Sequence, residues 1–144
     1  DSHYTSDPIR IAMLSYSSFG ASQHPSARKV SEAARMIRRV APDLEVDGEM
    51  QVDVALNQEL REQEFPFTHM KGDANVFIFP DLASANISYK MLTNLSDAAP
   101  TGPVLVGLQK PANIMQRSAT VDQIVNMIYV TSFQATVKIP TLMG

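Results

Sequence analysis

The sequence predicts an α/β fold, a layered domain built on a mostly parallel sheet. Short apolar runs alternate with segments of helical period, the runs contain few polar residues, and the connections between them are brief. A strand buried on both faces, as in a parallel sheet, reads as a continuous apolar run. Its alternation with helices is the signature of βα units.

The elements follow in order. "IRIAMLSYS" (9–17) is the first apolar run and ends in the polar loop "SYSSFGAS". "SARKVSEAARMIRRVAP" places Val30, Ala33, Ala34, Ile37 and Val40 at helical spacing, with Lys and Arg on the other face and Pro42 just beyond the end. "LEVDGEMQVDVAL" alternates like a strand but is interrupted by Asp47-Gly48, a turn signal. From about Asp53 a helix is expected through "VALNQELREQEF", stopped by Pro66. "KGDANVFIFPD" supplies a Gly-Asp turn and a buried strand over 75–79, and "LASANISYKMLTNLS" a helix. "GPVLVGLQKP" predicts a further buried strand, and "TVDQIVNMIYVTSFQA" a last helix, apolar nearly all round from Val121 to Val130. Such a helix needs burial on two sides.

The expected organisation is a polar lead-in over 1–8, one structural unit over 9–137 and a tail over 138–144. No internal repeat or linker interrupts it. At 144 residues the chain can bury a real core, and 44% hydrophobic with 19% charged residues fits a globular class. A net charge of −3 and a pI near 5.5 give no electrostatic case for nucleic acid. Without cysteine there is neither a disulfide framework nor a thiolate metal site, which is compatible with a cytoplasmic location. No apolar run approaches the roughly 20 residues of a membrane span, so no membrane partner is expected.

In sheets of this kind ligands favour the crevice beyond the carboxyl ends of the strands. That gathers the loops at 15–20, 47–51, 80–86 and 110–118, with "FTHMKGD" at the opposite edge. The loop "SYSSFGAS" is neither GxGxxG nor a P-loop. Its hydroxyls and amides before a helix suit either a phosphate or helix capping. His3, His24 and His69 have no partner at metal-ligand spacing and point to structural or solvent-facing roles. Asp47, Glu49 and Asp53 read as turn formers and a helix start. Arg117 is the only arginine after Arg61 and sits in a strand-to-helix loop near Lys110 in sequence. Its planar fork suits phosphate or carboxylate, and solvation at the surface is the plain alternative. Thr120-Val121-Asp122-Gln123 fits a capping box, with Asp122 suiting the helix dipole.

"RIAMLSYSSFG", "APDLEVDGEMQVDVAL", "KGDANVFIFPDLASANISYK" and "GPVLVGLQKPANIMQRSATVDQIVNM", in that order and at these spacings, resemble the phosphate acetyl/butyryltransferase family. More narrowly, the chain is similar to the phosphotransacetylase-like C-terminal region of bacterial NADP-dependent malic enzymes. The resemblance covers nearly the whole sequence. It implies a three-layer α/β/α sandwich related to isocitrate and isopropylmalate dehydrogenases. It also implies an earlier half of the acyltransferase unit upstream, against which the last helix packs. The malate-oxidising region, with its NADP and divalent metal, would lie further upstream still.

Family members carry roughly Leu-Ser-Arg-Gly after the Lys-Pro and an aspartate a few residues on. Their serine and arginine contact CoA and the reacting centre, and their aspartate acts as base toward the CoA thiol. Here the arginine is kept as Arg117, while Gln116 and Ser118 stand at the serine and glycine positions. Gln123 stands at the aspartate position. Asp122 is one residue early, turned about 100° around the helix, and a glutamine takes no proton from a thiol at neutral pH. No catalytic residue is therefore assigned. The residues expected to touch acetyl-CoA, CoA or an acyl phosphate are Arg117, Lys110, Ser17, Ser18 and Asn113. The resemblance implies a regulatory binding role within a homo-oligomeric malic enzyme, or else an active phosphate acetyltransferase moving acetyl between CoA and phosphate.

Overall fold

The computed structural model describes residues 7–136. Its elements are β1 (Arg10–Leu14), α1 (Pro25–Val40), β2 (Glu45–Met50), α2 (Val52–Ala55), α3 (Gln58–Glu64), β3 (Val76–Ile78), α4 (Leu82–Leu95) and α5 (Val121–Thr136). The chain forms two compact units, residues 1–90 and 91–144, whose boundary falls inside α4.

In the first unit the three strands are all parallel, in the order β2-β1-β3. Side chains of β1 alternate as the pleat requires. Ala12 and Leu14 join Met50, Val54, Ala55, Met70 and Ala74 on one face. Ile11 and Met13 join Val30, Ala34 and Val46 on the other. The α1 helix covers that second face, and α2 with its flanking loops covers the first. The predicted α/β layering with a parallel sheet is therefore present.

The register slips where β1 ends. Met13 lies opposite Gly48 but Leu14 lies opposite Met50, which leaves Glu49 as the extra residue of a bulge. Gly48 has a φ of +132°, and a Cβ there would sit 2.5 Å from the Met13 carbonyl oxygen. Only glycine lets the strands approach so closely here.

Several expectations are corrected. Asp47-Gly48 is not a turn but lies within β2, with Asp47, Gly48 and Glu49 all buried. The single helix expected from Asp53 to Pro66 breaks in two. Asn57 Oδ1 accepts from Leu60 N–H and caps a new helix, α3, while Ala55 C=O turns away to accept from Ala74 N–H. In α1, Val30 and Ala34 are buried, but Val40 in the last turn is 81% exposed. Pro25 occupies the first turn of that helix, and His24, not a serine, caps it by accepting from Ser26 N–H.

The second unit contains α5 and the segment before it. No strand forms over 102–108 among the described residues. A strand needs a backbone partner, and Leu105 bonds side chains instead. Its N–H donates to Asn113 Oδ1, and its C=O accepts from Gln134 Nε2. In α5 only Met127 is buried, while Val121, Ile128 and Tyr129 are largely exposed. The chain's expected tail over 138–144 and His3 lie outside the described residues.

Candidate functional site

The serine loop after β1 is folded around a carboxylate of the chain itself. Phe19 and Gly20 take positive φ values of 48° and 89° in succession. Gly20 N–H donates to Glu49 Oε1 at 2.7 Å, and Phe19 N–H donates to the Glu49 carbonyl at 2.8 Å. Ser17 Oγ donates to the same Oε1 at 3.2 Å and accepts from Ser22 N–H at 2.9 Å. Ser18 Oγ accepts from Gln51 N–H at 3.0 Å. Both serines are buried. The Gly20 amide and Ser17 hydroxyl that could have cradled a phosphate thus hold the Glu49 side chain, which the bulge in β2 aims at them.

Asp47, on the other side of the bulge, is a second buried carboxylate. It accepts from Arg38 Nη1 at 2.6 Å and Gly48 N–H at 3.0 Å through Oδ1. Its Oδ2 accepts from Thr68 Oγ1 and His69 N–H, each at 2.7 Å. A buried charge persists only when paired and hydrogen-bonded, and these four donors meet that requirement. Neighbouring residues of "FTHMKGD" pack at the amino ends of the strands, where Lys71 N–H reaches Glu45 and Gly72 lies beside Arg10. The loop before α4 is pinned differently. Asp81 Oδ1 accepts from the Ser84 N–H at 2.8 Å, and this bond with the Ser84 hydroxyl holds the Asp81 carboxyl below its ordinary value. Lys29 Nζ donates to Pro80 C=O at 2.7 Å.

In the second unit the loop from Lys110 to Thr120 leads into α5. Asn113 is half-buried and committed internally. Its Nδ2 donates to Thr131 Oγ1 and Gln134 Oε1, while its Oδ1 holds Leu105 N–H. It fixes the loop against the helix. Gln116 C=O accepts from Ala119 N–H, so Arg117 sits inside that turn, exposed. Neither Arg117 nor Lys110 has a hydrogen bond or ion pair among the described residues. The capping box is formed on both sides: Thr120 N–H donates to Gln123 Oε1 at 3.0 Å, and Gln123 N–H donates to Thr120 Oγ1 at 3.3 Å. A groove of about 300 Å³ beside it is lined by Asn113, Met115, Ile124, Met127, Ile128, Thr131 and Ser132.

The structure therefore places Ser17 and Ser18 in one unit, and Lys110, Asn113, Gln116, Arg117 and Gln123 in the other. Of the expected ligand contacts, only Arg117 and Lys110 present uncommitted polar groups. Sequence reasoning missed Glu49 as an organising group. The signal was there, since acids at 47 and 49 stand between Val46 and Met50 in an otherwise buried strand. Acids in such a place require partners elsewhere. Among the described residues no cluster of three or more His, Asp or Glu side chains could hold a metal, and no helix is long and apolar enough to cross a membrane.

Known proteins resemble this chain in sequence and in fold. The family model described as phosphate acetyl/butaryl transferase matches residues 3–132. A phosphate acetyltransferase of Paracoccus denitrificans is 46% identical over 125 residues, 87% of this chain and 39% of that protein. An NADP-dependent malic enzyme of Escherichia coli (strain K12) is 39% identical over 127 residues, 88% of this chain and 17% of that protein. A solved phosphotransacetylase from Streptococcus pyogenes superposes with a TM-score of 0.83 at 39% identity, covering 90% of this chain and 39% of the other. The chain thus spans well under half the length of the relatives it matches.

Proposed function

The chain belongs to the phosphate acetyl/butaryl transferase family, and on that premise we propose that it binds a CoA ester or acyl phosphate without activating the thiol. In this reading it is the phosphotransacetylase-like region of an NADP-dependent malic enzyme. Acetyl-CoA or a related metabolite would dock there, modulate malate decarboxylation and act within a homo-oligomer. Arg117 and Lys110, exposed and uncommitted, neutralise the ligand's phosphate groups. The carrying observation is the capping box. Gln123, at the position of the family base, is neutral and spends its Oε1 on Thr120 N–H.

The test is a titration of acetyl-CoA into the polypeptide that carries this chain, read by calorimetry and by malate-dependent NADPH formation. Saturable binding that changes the rate and weakens at least tenfold in Arg117→Ala is expected, since a charged hydrogen bond contributes about 1.5–3 kcal/mol. No binding, or binding indifferent to Arg117, overturns the reading.

The 46% identity to a phosphate acetyltransferase favours a second reading, an active transferase. Phosphate would then attack the acetyl carbonyl of acetyl-CoA, and the CoA thiolate would leave and take up a proton. Positioning and Arg117 would carry the rate. Acetyl phosphate turnover with CoA that disappears in Arg117→Ala would establish this second reading over the first.

A further inference from the structure

We propose that the two outer layers of the first unit are the two halves of one interface between copies of this chain. The basic face of α1 on one copy docks against the acidic α2–α3 layer of the next. The layers lie on opposite faces of the sheet, since α1 packs on Met13 and Val46, and α2 on Ala12 and Leu14. Their exposed charges are of opposite sign. On α1, Arg28, Lys29, Arg35 and Arg39 face solvent with a single acid, Glu32. Over 51–69, Asp53, Glu59, Glu62 and Glu64 face solvent, and Arg61, the only Lys or Arg of that stretch, is fully buried. Those four acids have no ion pair among the described residues, and the donors that Glu59 and Glu62 meet, Gln63 and Gln58, are neutral. Of the four cations only Arg35 is neutralised, by Glu32. Lys29 meets a carbonyl, and Arg28 and Arg39 have no hydrogen bond or ion pair among the described residues.

Each layer also leaves apolar side chains bare among these charges. Met36 and Val40 on the basic side, and Val52 and Leu56 on the acidic side, are each more than half exposed. Arg28, Glu32, Arg35, Met36 and Arg39 recur at spacings of three and four, so they share one helix face. Apolar residues with a charged rim make up a non-obligate protein interface, and charges of opposite sign steer encounter and fix register. Because one chain carries both complementary halves, the partner it fits is a second copy. Halves on opposite faces cannot both be satisfied in a two-fold pair. Each contact is therefore heterologous, and its repetition gives a ring or an open row.

The interface lies wholly in the first unit and does not depend on the ligand proposed for Arg117. The experiment is sedimentation velocity on the full chain and on two charge-reversed variants, all changed at exposed positions, with circular dichroism to confirm that each variant folds. Arg28→Glu, Arg35→Glu and Arg39→Glu together make both layers acidic. Glu59→Lys, Glu62→Lys and Glu64→Lys together make both basic. In low salt the native chain should form species larger than a dimer as its concentration rises. In 1 M NaCl, where the screening length is about 3 Å, that association should weaken at least tenfold. Each variant alone should associate at least tenfold more weakly than the native chain. Mixed in equal amounts, the two should associate again, since the acidic α1 of one fits the basic α2–α3 layer of the other. A native chain that stays monomeric at every concentration overturns the proposal. So does association that salt and both variants leave unchanged, or loss in the variants without recovery on mixing.

Discussion

Replacing Gly48 with alanine tests how tightly β2 is held against β1. The new Cβ would lie 2.5 Å from Met13 O and 2.9 Å from Met13 Cβ. Ordinary carbon–oxygen contacts begin near 3.3 Å, so the strands would have to part by several tenths of an ångström. They would do so at the pair Met13–Gly48, beside the bulge that aims Glu49. Overpacking of a dense interior costs about 1–3 kcal/mol. Holding a non-glycine residue at this positive φ adds about 1–3 kcal/mol. The sum, about 2–6 kcal/mol, is a large part of the roughly 5–15 kcal/mol that stabilises a domain. At about 4–8 °C per kcal/mol for a small domain, Tm should fall by on the order of 10 °C or more. Gly20→Ala is the control: its φ is +89°, but nothing lies within 4 Å of the added Cβ, so it reports backbone strain alone. Thermal melts followed by circular dichroism compare the two. If both variants melt at the same temperature, the clash with Met13 is not felt and the steric reasoning fails.

Three more outcomes are expected. Arg61→Met removes the donor to the carbonyls of Val54, Ala55 and Gly72 from a fully buried site. All three carbonyls lose their side-chain partner, and Ala55 C=O alone keeps the Ala74 N–H, so urea unfolding should show a loss of about 3 kcal/mol or more; a loss under about 1 kcal/mol would mean water replaces the arginine. Thr120→Ala should destabilise the start of α5 by about 1 kcal/mol, seen as faster amide exchange at Gln123 with β1 unaffected. Asp81 has a folded pKa below the ordinary 3.8, so its contribution is present above that value and is lost as pH falls through the lowered one. Asp81→Asn should therefore differ from the native chain in α4 amide exchange at neutral pH and converge with it in strong acid; a constant difference at all pH values would contradict the capping role.

What could be read from the chain was whatever depends on near neighbours. A first strand within 9–17, the Val30 and Ala34 face of α1 and the Thr120–Gln123 cap follow from period and local chemistry, and the structure contains each of them. What failed depends on distant partners. Asp47-Gly48 has the composition of a turn, and only Arg38, Thr68 and His69 make it tolerable inside a strand. The serine loop offers donors, and nothing nearby in sequence discloses that Glu49, some thirty residues on, takes them. "GPVLVGL" states a need for burial but not a partner. Leu105 meets its backbone needs with the side chains of Asn113 and Gln134, and Val106 stays 76% exposed.

Glu49's place in the serine loop has a consequence for selectivity among anions. A carboxylate tethered by the fold competes for the amides of that loop at an effective concentration that free phosphate in solution does not reach. Phosphate entering would also have to displace a charge whose own backbone is fixed by β2. The cradle formed by the Gly20 amide and the Ser17 hydroxyl is thus occupied from within by a side chain that the strand itself delivers, and an outside anion would have to bind there at the expense of Glu49's own hydrogen bonds.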